Sequence, residues 1–578
     1  MIRRIRSRRF KLALLAVATM GGAVSLLPLT GAAGAPARAR VAVFPSAQTI
    51  SATAPLAGGA KAIKLNAAIG EREGAWIVVT GGKQISGNID IPSLHGLPAG
   101  LAWGHYVHFG HHDVADVLLP WDGKTRVAER RNQPIYFQVI VPYGAKPGVH
   151  RTTVTLTIDG RAVRVPMSVR VFHYQLPPAP STNGNLLTSF LISAETYVKK
   201  TSELYHLTSN AQRAAVNQSL FAFLAGYRIS PAKWGFGEPR TTAGYEPSPK
   251  WWLDSAGNMA REATANGGFS AMRIPISANP TSVGSLIAGL RPSQPETWCA
   301  YLKRARAFWQ AHSFLNGRLP YLFTYDEPGL EGMRLVARQA KVGHTCFAGS
   351  KMIVTGNPTA ANRFVWDRKN ADDVDIWTVL SRRYYGQFTS PKKKPNRARQ
   401  NLALINAARK AGKTIWSYTY SAVPGTPGYA ATEPLSNPRV FLLWNAFEGI
   451  NGTLYTDGVT TYTTANPLTS VASNGIGVLL YPGPTAPIPS ARLEQIRDGI
   501  EDWAIFNAVR AKRGAAAVRS ILSRAGLFSG TSKGAKLACH LGCELKSPTK
   551  YSWPVWSHDA TTAGRIDKAH LAALTLLR

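Results

Sequence analysis

The sequence predicts an α/β protein in which an antiparallel β-sandwich domain precedes a (β/α)8 TIM-like barrel. Two observations lead to this prediction. Residues 41–180 contain short apolar segments separated by glycine and proline turns, and residues 185–510 alternate between helical and strand patterns. With 578 residues, of which 45% are hydrophobic and 17% charged, the chain can form several globular domains.

The β-sandwich prediction rests on strand patterns that are separated by turn signals. Asp159 and Gly160 form a hairpin signal between the last two of these strands. Short strands at this spacing are typical of an antiparallel sandwich. The strand candidates are residues 75–80, 135–141, 151–158 and 162–171.

The barrel prediction rests on the pattern that follows a proline-rich linker at residues 176–180. Helical periodicity alternates there with short apolar runs, which indicates a parallel sheet with helical crossovers. The predicted strands are residues 321–325, 352–355, 374–380, 414–420 and 452–456. The predicted helices are residues 209–225, 295–312, 333–341 and 492–512, followed by a C-terminal extension, residues 511–578, with a cysteine loop and a last helix at 562–577.

Residues 1–39 have the pattern of a signal peptide. Five arginines precede an apolar stretch, residues 12–29, and small residues at 33–35 and 37–39 offer cleavage sites. An uncleaved membrane anchor is the alternative. We therefore predict a secreted, cell-surface or periplasmic protein that has no membrane attachment after cleavage.

The formal net charge is +35, and the basic residues are spread along the chain. In a cytosolic protein this charge would suggest nucleic acid binding, but the export pattern argues against that class. An anionic cell-wall polymer is the partner that we expect for the basic surface. A solvated cationic surface without a specific partner is the alternative.

The four cysteines of an exported chain suggest two disulfide bonds, for which three pairings exist. We expect Cys299–Cys346 and Cys539–Cys543, because each bridge then stays within one region. Cys539, His540 and Cys543 make an incomplete zinc ligand set, and the histidines between residues 105 and 112 are expected on a surface loop. We therefore predict no metal and no cofactor.

One short segment carries the predicted chemistry. Residues 321–325 read as a buried strand between Pro320 and Pro328, and Asp326 and Glu327 follow it as the only Asp-Glu dipeptide among 32 carboxylate residues. In a (β/α)8 barrel the chemistry sits at the carboxyl ends of the strands, so Asp326 and Glu327 are the predicted catalytic residues. The alternative is that Asp326 caps the following helix.

Aromatic and polar residues stand at or near the ends of other predicted strands as well. Aromatic faces stack on sugar rings, and core packing is the alternative for each ring. A glycan is therefore the predicted substrate. The predicted substrate-binding residues are Tyr325, Trp377, Tyr418, Tyr420, Trp444, Tyr455 and Asp457.

An ordered set of motifs between residues 320 and 510 resembles glycoside hydrolase family 123 and its uncharacterised relatives. The β-rich region before it is similar too, at residues 132–134, 141–142 and 147–148. The motifs are, in order, residues 325–328 (YDEP), 374–377 (VDIW), 416–418 (WSY), Arg439, 443–444 (LW), 449–450 (GI), 452–455 (GTLY), 480–483 (LYPG) and 492–503 (RLEQIRDGIEDW).

The resemblance implies a retaining, substrate-assisted β-N-acetylgalactosaminidase. It assigns Glu327 as the acid/base and Asp326 as the residue that orients the substrate's 2-acetamido group. Ordinary retaining glycosidases need two carboxyls about 5 Å apart on opposite faces of the anomeric carbon. Adjacent residues at one strand end are poorly placed for that, but they can contact neighbouring parts of one sugar, as these roles require. Thr456-Asp457 stands where relatives often carry Trp, which leaves the amino-sugar specificity open.

Two other functions remain open on the sequence. A glycosidase of different specificity would need a second carboxylate, such as Asp457 or Glu448, as its nucleophile. A non-catalytic glycan- or wall-binding protein would keep the barrel, and it would be favoured if Glu327 were buried in an ion pair under the rim. The charged group on the helix at 492–512 is interpreted as structural; it consists of Arg497, Asp498, Glu501 and Asp502.

Overall fold

The computed structural model describes residues 39–578, apart from 95, 180–181, 233–268, 275–293, 368–372, 385–396, 420–426, 456–458, 473, 530–554 and 557–560. The predicted signal peptide and the Cys539–Cys543 pair therefore lie outside the described residues. In this part of the chain no helix is both long and apolar enough to cross a membrane.

The strands are β1 Arg40–Pro45, β2 Ile63–Ile69, β3 Arg72–Thr80, β4 Gln84–Ile89, β5 Ala99–Phe109, β6 His112–Trp121, β7 Arg126–Val127, β8 Asn132–Ile140, β9 Gly148–Ile158, β10 Arg161–Gln175, β11 Leu187–Phe190, β12 Ala271–Arg273, β13 Leu319–Phe323, β14 Lys351–Thr355, β15 Ile376–Leu380, β16 Thr414–Thr419, β17 Gly452–Tyr455, β18 Ser470–Val471, β19 Leu480–Tyr481, β20 Ile488–Pro489, β21 Phe528–Ser529 and β22 Val555–Trp556. The helices are α1 Ala194–Tyr205, α2 Asn210–Gly226, α3 Gln294–Ala311, α4 Leu330–Cys346, α5 Ser381–Tyr384, α6 Arg397–Lys410, α7 Asn437–Glu448, α8 Ala491–Arg513, α9 Ala515–Arg524 and α10 Thr562–Leu576.

Strands β1–β10 form two sheets. One has the order β1-β3-β8-β5 with β6 and β18 both paired to β5, and the other has the order β2-β10-β9-β4-β7. In β9 every second residue from Thr152 to Ile158 is buried, the alternation expected of a strand with one solvated face. Apolar residues of both sheets, such as Phe137 and Leu156, share one core. The pairing is not purely antiparallel as predicted, because β2 runs parallel to β10 and β18 parallel to β5.

A third, all-parallel sheet has the order β11-β17-β16-β15-β14-β13-β12 and curls into a nearly closed barrel. The place between its first and last strands is taken by residues 229–232, which pair with β11 through one bridge, Phe190–Pro231. The Ser230 hydroxyl accepts the backbone N–H of Ala271 at 3.3 Å. The bridge consists of two hydrogen bonds, from the Phe190 N–H to the carbonyl of Ser230 at 2.9 Å and from the Ala232 N–H to the carbonyl of Phe190 at 2.7 Å, and the residues directly after Ala232 lie outside the described part of the chain. The described residues thus form seven strands of a TIM-like barrel rather than the full (β/α)8 arrangement.

The predicted disulfide Cys299–Cys346 is present and joins α3 to α4, with Cα atoms 5.2 Å apart. The two helices pack side by side outside the barrel. The bridge links the start of one helix to the end of the other.

Helix α8 carries buried charges that join the barrel to the β sheets. Arg439 of α7 reaches Asp502 at 2.7 Å and Glu73 of β3 at 3.4 Å. Glu501 accepts the backbone N–H of Arg72 at 3.2 Å. A buried charge is tolerated only when it is paired, so these contacts fix the helix to its neighbours.

Candidate active site

Asp326 and Glu327 follow β13 at the carboxyl edge of the parallel sheet. Strand β13 ends at Phe323, and helix α4 begins at Leu330 with Gly329 as its N-cap. The cap makes no side-chain hydrogen bond. The alternative in which Asp326 caps this helix is therefore wrong, and the side chains of the pair remain available for other contacts.

Thr355, the last residue of β14, links the backbone of Glu327 to the carboxylate of Asp326. Its Oγ1 accepts the backbone N–H of Glu327 at 2.6 Å and donates to Oδ1 of Asp326 at 2.6 Å. Thr355 is fully buried, so its hydroxyl is fixed in place. Glu327 has φ 44°, in the left-handed region that few residues with a side chain adopt. Such strained positions concentrate at functional sites.

The next two strands place a guanidinium and a phenol on Glu327. Arg383 lies in the short helix directly after β15, and its Nη2 is 3.4 Å from Oε2 of Glu327. Tyr418 of β16 donates its hydroxyl to Oε1 of Glu327. Burial, followed by the bond to Glu327, raises the pKa of Tyr418, so this phenol remains a hydrogen-bond donor. Four neighbouring strands, β13 to β16, thus supply the site.

Glu327 opens onto a cavity of about 680 Å³, within the roughly 300–1,000 Å³ range of small-molecule sites. The side chains of Glu327 and Arg383 are 41% and 35% exposed. Asp326 does not line this cavity. The lining residues are Glu327, Pro328, Gly329, Leu330, Met333, Thr355, Gly356, Asn357, Thr359, Ala361, Asn362, Arg383, Gln400, Asn401 and Leu404.

Among the predicted substrate-binding residues, the structure brings Tyr418 to Glu327 of the predicted catalytic pair. Tyr325 is half-buried, and its ring packs near Gly332 of helix α4. Tyr420 and Asp457 lie outside the described residues.

The other predicted residues, Trp377, Trp444 and Tyr455, are buried in the hydrophobic core. For the two strand residues the reason is that successive side chains of a strand point to opposite faces. Tyr418 shares the barrel interior with Leu380 and Leu454, whereas Trp377 and Tyr455 point towards the helices.

Sequence reasoning missed the residues that position and surround the pair. Thr355 had a usable signal, because it is a polar residue at the end of a predicted apolar strand, as Asp326 is. Arg383 and the amide residues of the cavity had none. They follow β14 or β15 or lie on helix α6, and only the barrel brings them together.

Three buried side chains outside the candidate site are of the types that bind metal ions. Glu71, Asp502 and His570 each offer a ligand atom, and these atoms lie within 4.8 Å of one another. However, the His570 nitrogens face Oδ1 of Asp502 at 2.7 Å and the backbone carbonyl of Asn66 at 3.1 Å. A carbonyl oxygen only accepts, so the ring donates on this side and has no lone pair there for a metal.

Comparisons with known proteins show what the fold is similar to. No protein-family model matches the chain, and no curated protein matches it. A solved family 123 glycoside hydrolase from Clostridium perfringens aligns over 93% of this chain and 99% of its own, with a TM-score of 0.62 and 12% identity. An endo-β-1,4-mannanase from Thermotoga petrophila aligns over 56% of this chain and 78% of its own, with a TM-score of only 0.32 and 12% identity. The first likeness confirms the predicted resemblance to family 123 at the level of the fold.

Proposed function

We propose that this protein is a glycoside hydrolase, and specifically a retaining, substrate-assisted β-N-acetylhexosaminidase similar to N-acetylgalactosaminidases. The observation that carries the proposal is the Asp326–Glu327 pair, which Thr355 fixes at the carboxyl edge of a barrel and beside an open cavity. The fold shared with a family 123 glycoside hydrolase supports it.

In the proposed reaction Glu327 donates a proton to the leaving oxygen as the glycosidic bond breaks. The carbonyl oxygen of the 2-acetamido group attacks the anomeric carbon and forms an oxazolinium-like ring. Asp326 accepts the acetamide N–H and stabilises the positive charge of this ring. Water, deprotonated by Glu327, then opens the ring with overall retention.

The alternative with a protein nucleophile needs a second carboxylate across the site. Among the described lining residues, Glu327 is the only one with a carboxylate. Glu448 does not line the cavity, and its Oε2 accepts the hydroxyl of Tyr384 at 3.3 Å. Asp457 lies outside the described residues. Two adjacent carboxylates at one strand end cannot flank the anomeric carbon from opposite faces, so the pair itself favours the substrate's own acetamide as nucleophile.

The non-catalytic alternative would be favoured by a Glu327 sealed in an ion pair. Instead Glu327 lines the cavity, and its contact with Arg383 is long and half open to solvent. A carboxylate that is held by a phenol and still open to a cavity suits proton transfer to a bound ligand better than a structural ion pair.

The decisive experiment compares Glu327→Gln with Asp326→Asn on two N-acetyl-β-hexosaminides, one with an activated aryl leaving group and one with a sugar leaving group. Glu327→Gln should lose about 10²–10⁴-fold on the sugar leaving group, which needs a proton, and much less on the aryl group. Asp326→Asn should impair both substrates alike, because attack by the acetamide oxygen accompanies the departure of either leaving group and Asp326 stabilises the ring that forms.

Glu331→Gln is the matched control, since Glu331 is exposed on the same helix entrance and pairs with Arg334 at 2.8 Å. It should leave both rates unchanged. Near wild-type turnover by Asp326→Asn would rule out substrate assistance. Rescue by azide after removal of a distant carboxylate would show a protein nucleophile instead.

We also propose that the chain is exported and that its basic surface adsorbs to anionic cell-wall polymers. The support is the signal-like residues 1–39 and the net charge of +35. Adsorption to wall material should weaken steeply between about 0.05 M and about 0.5 M salt, because the Debye length shortens. Turnover of a neutral aryl glycoside should change little over this range. An equal salt dependence of both would contradict a separate adsorption surface.

A further inference from the structure

We propose that the cavity beside Glu327 is the leaving-group subsite, that it takes an uncharged saccharide, and that Gln400 is a specificity-determining residue within it. This inference rests on the proposed function, and it adds which side of the scissile bond the cavity serves and what chemistry it recognises.

The positions of Asp326 and Glu327 indicate which side of the scissile bond the cavity serves. The acid/base has to reach the leaving oxygen, whereas the residue that holds the acetamide stays with the sugar that forms the ring. Glu327 lines the cavity and Asp326 does not. The cavity therefore extends from the side of Glu327 on which the leaving group departs.

The charge of the lining indicates an uncharged ligand. Among the described lining residues, Glu327 and Arg383 are the only ones with ionised side chains, and they lie 3.4 Å apart. The remaining polar groups are amides and hydroxyls. An additional carboxylate or sulfate on the ligand would therefore meet no second cation among the described lining residues.

Most amides of the cavity are already engaged. Asn357 and Asn401 both donate to the backbone carbonyl of Arg383, at 3.1 and 3.0 Å. Asn362 accepts from the backbone N–H of Thr359 at 2.7 Å. These residues shape the wall, and they have fewer groups left for a ligand.

Gln400 differs from them. It lies exposed on helix α6, and its amide makes no hydrogen bond with the described part of the chain. Leu330, Met333 and Leu404 line the same cavity and offer an apolar surface for the C–H face of a sugar ring. A free amide beside such a surface suits a neutral sugar, whose hydroxyls both donate and accept.

The test uses three glycosides of N-acetyl-β-galactosamine, with p-nitrophenol, galactose or glucuronic acid as leaving group. The glucosamine counterparts are used if the wild type prefers them. Gln400→Ala should lower kcat/KM about 3- to 10-fold on the galactose compound, the value of one hydrogen bond, chiefly through a higher KM. It should leave the p-nitrophenyl compound within twofold. The wild type should cleave the galactose compound faster than the glucuronic acid compound.

Asn406→Ala is the control, because Asn406 is an exposed amide on the same helix that does not line the cavity. It should change none of the rates. An equal effect of Gln400→Ala on all three compounds, or faster cleavage of the glucuronic acid compound, would overturn this inference while leaving glycosidase activity intact. A wild type that cleaves none of the three would instead overturn the proposed function, and the inference with it.

Discussion

At the scale of single residues, one hydroxyl sets the geometry of the candidate site. Thr355 accepts the N–H of Glu327 and donates to Asp326, so the strained turn and the second carboxylate share one anchor. The left-handed backbone of Glu327 persists because this bond and the ends of β13 and α4 hold it. The two carboxylates are therefore positioned as a unit.

Thr355→Val removes the hydroxyl that contacts both Asp326 and Glu327, with almost no change in the volume of the side chain. The variant leaves the Glu327 N–H without its partner, which costs about 1–3 kcal/mol, and it frees Asp326 to rotate. We expect kcat to fall about tenfold to a hundredfold. Thr355→Ser keeps the hydroxyl and should retain most activity. Equal activity of the two variants, in steady-state kinetics, would contradict a positioning role for this hydroxyl.

At the scale of elements, the sequence predicted five of the seven described barrel strands, all but β11 and β12, but not which way their side chains face. The predicted strands at 352–355 and 414–420 lie within a few residues of β14 and β16. Parallel strands are buried on both faces, so their apolar pattern does not separate the barrel interior from the helix side. Trp377 and Tyr418 both stood near strand ends, yet only Tyr418 reaches Glu327.

The eighth strand of the predicted barrel is not confirmed. The segment at 229–232 occupies the right place, but it pairs with β11 through a single bridge, and the residues that follow it lie outside the described part of the chain. Of the candidate site, the position of Asp326 and Glu327 could be predicted because they follow a strand, as could the presence of Tyr418 beside them. Arg383 and Gln400 could not, because their contacts depend on how neighbouring crossovers fold over the barrel.

Helix α8 begins with a buried anchor, Arg492, which joins it to the β sheets and to two loops. Its guanidinium binds both carboxylate oxygens of Asp116 in β6, at 2.9 and 2.7 Å. It also donates to the backbone carbonyls of Tyr429 and Gly475, at 2.6 and 2.8 Å. The elements around the barrel are thus held by a cation that water does not reach.

Arg492→Met should lower the free energy of unfolding by about 3–5 kcal/mol, since it leaves the Asp116 carboxylate buried without a counter-charge. Adding Asp116→Asn should recover part of this loss. Arg519→Met is the control, because Arg519 is 54% exposed and 3.9 Å from its partner Glu448. It should cost less than about 1 kcal/mol in urea denaturation. A similar, small loss for both arginines would show that the anchor contributes little.

At the scale of the whole molecule, His570 joins the last helix to the first strands and to α8. Both its nitrogens face acceptors, as in an imidazolium ion. Burial alone would lower its pKa, but the charge of Glu71 and the bond to Asp502 raise the pKa of His570 to about 9. The titratable and charged groups that face it are Glu71, Glu73, Asp502, Asp567 and Arg439.

Stability should therefore fall as the pH rises. The folded protein holds the His570 proton more tightly than the unfolded chain, whose histidine has a pKa near 6.5. The contribution is full below about pH 6.5 and is lost as the pH rises to 9, about 3 kcal/mol in all. Denaturation of the wild type and of His570→Gln across this range checks the expectation. The variant should show a flatter profile; identical slopes would contradict a charged His570.

The same buried group has a consequence for the order in which the protein is made. Glu71 lies between β2 and β3 and Glu73 lies in β3, so both leave the ribosome early, but their counter-charges, Arg439 and His570, are translated late. Burying these carboxylates alone would cost several kcal/mol per ion. An independent N-terminal domain folds as it leaves the ribosome. We expect these sheets to reach their final packing only after Arg439 and His570 have been synthesised. A premature stop codon that removes helix α10 should therefore leave both halves of the protein incompletely folded.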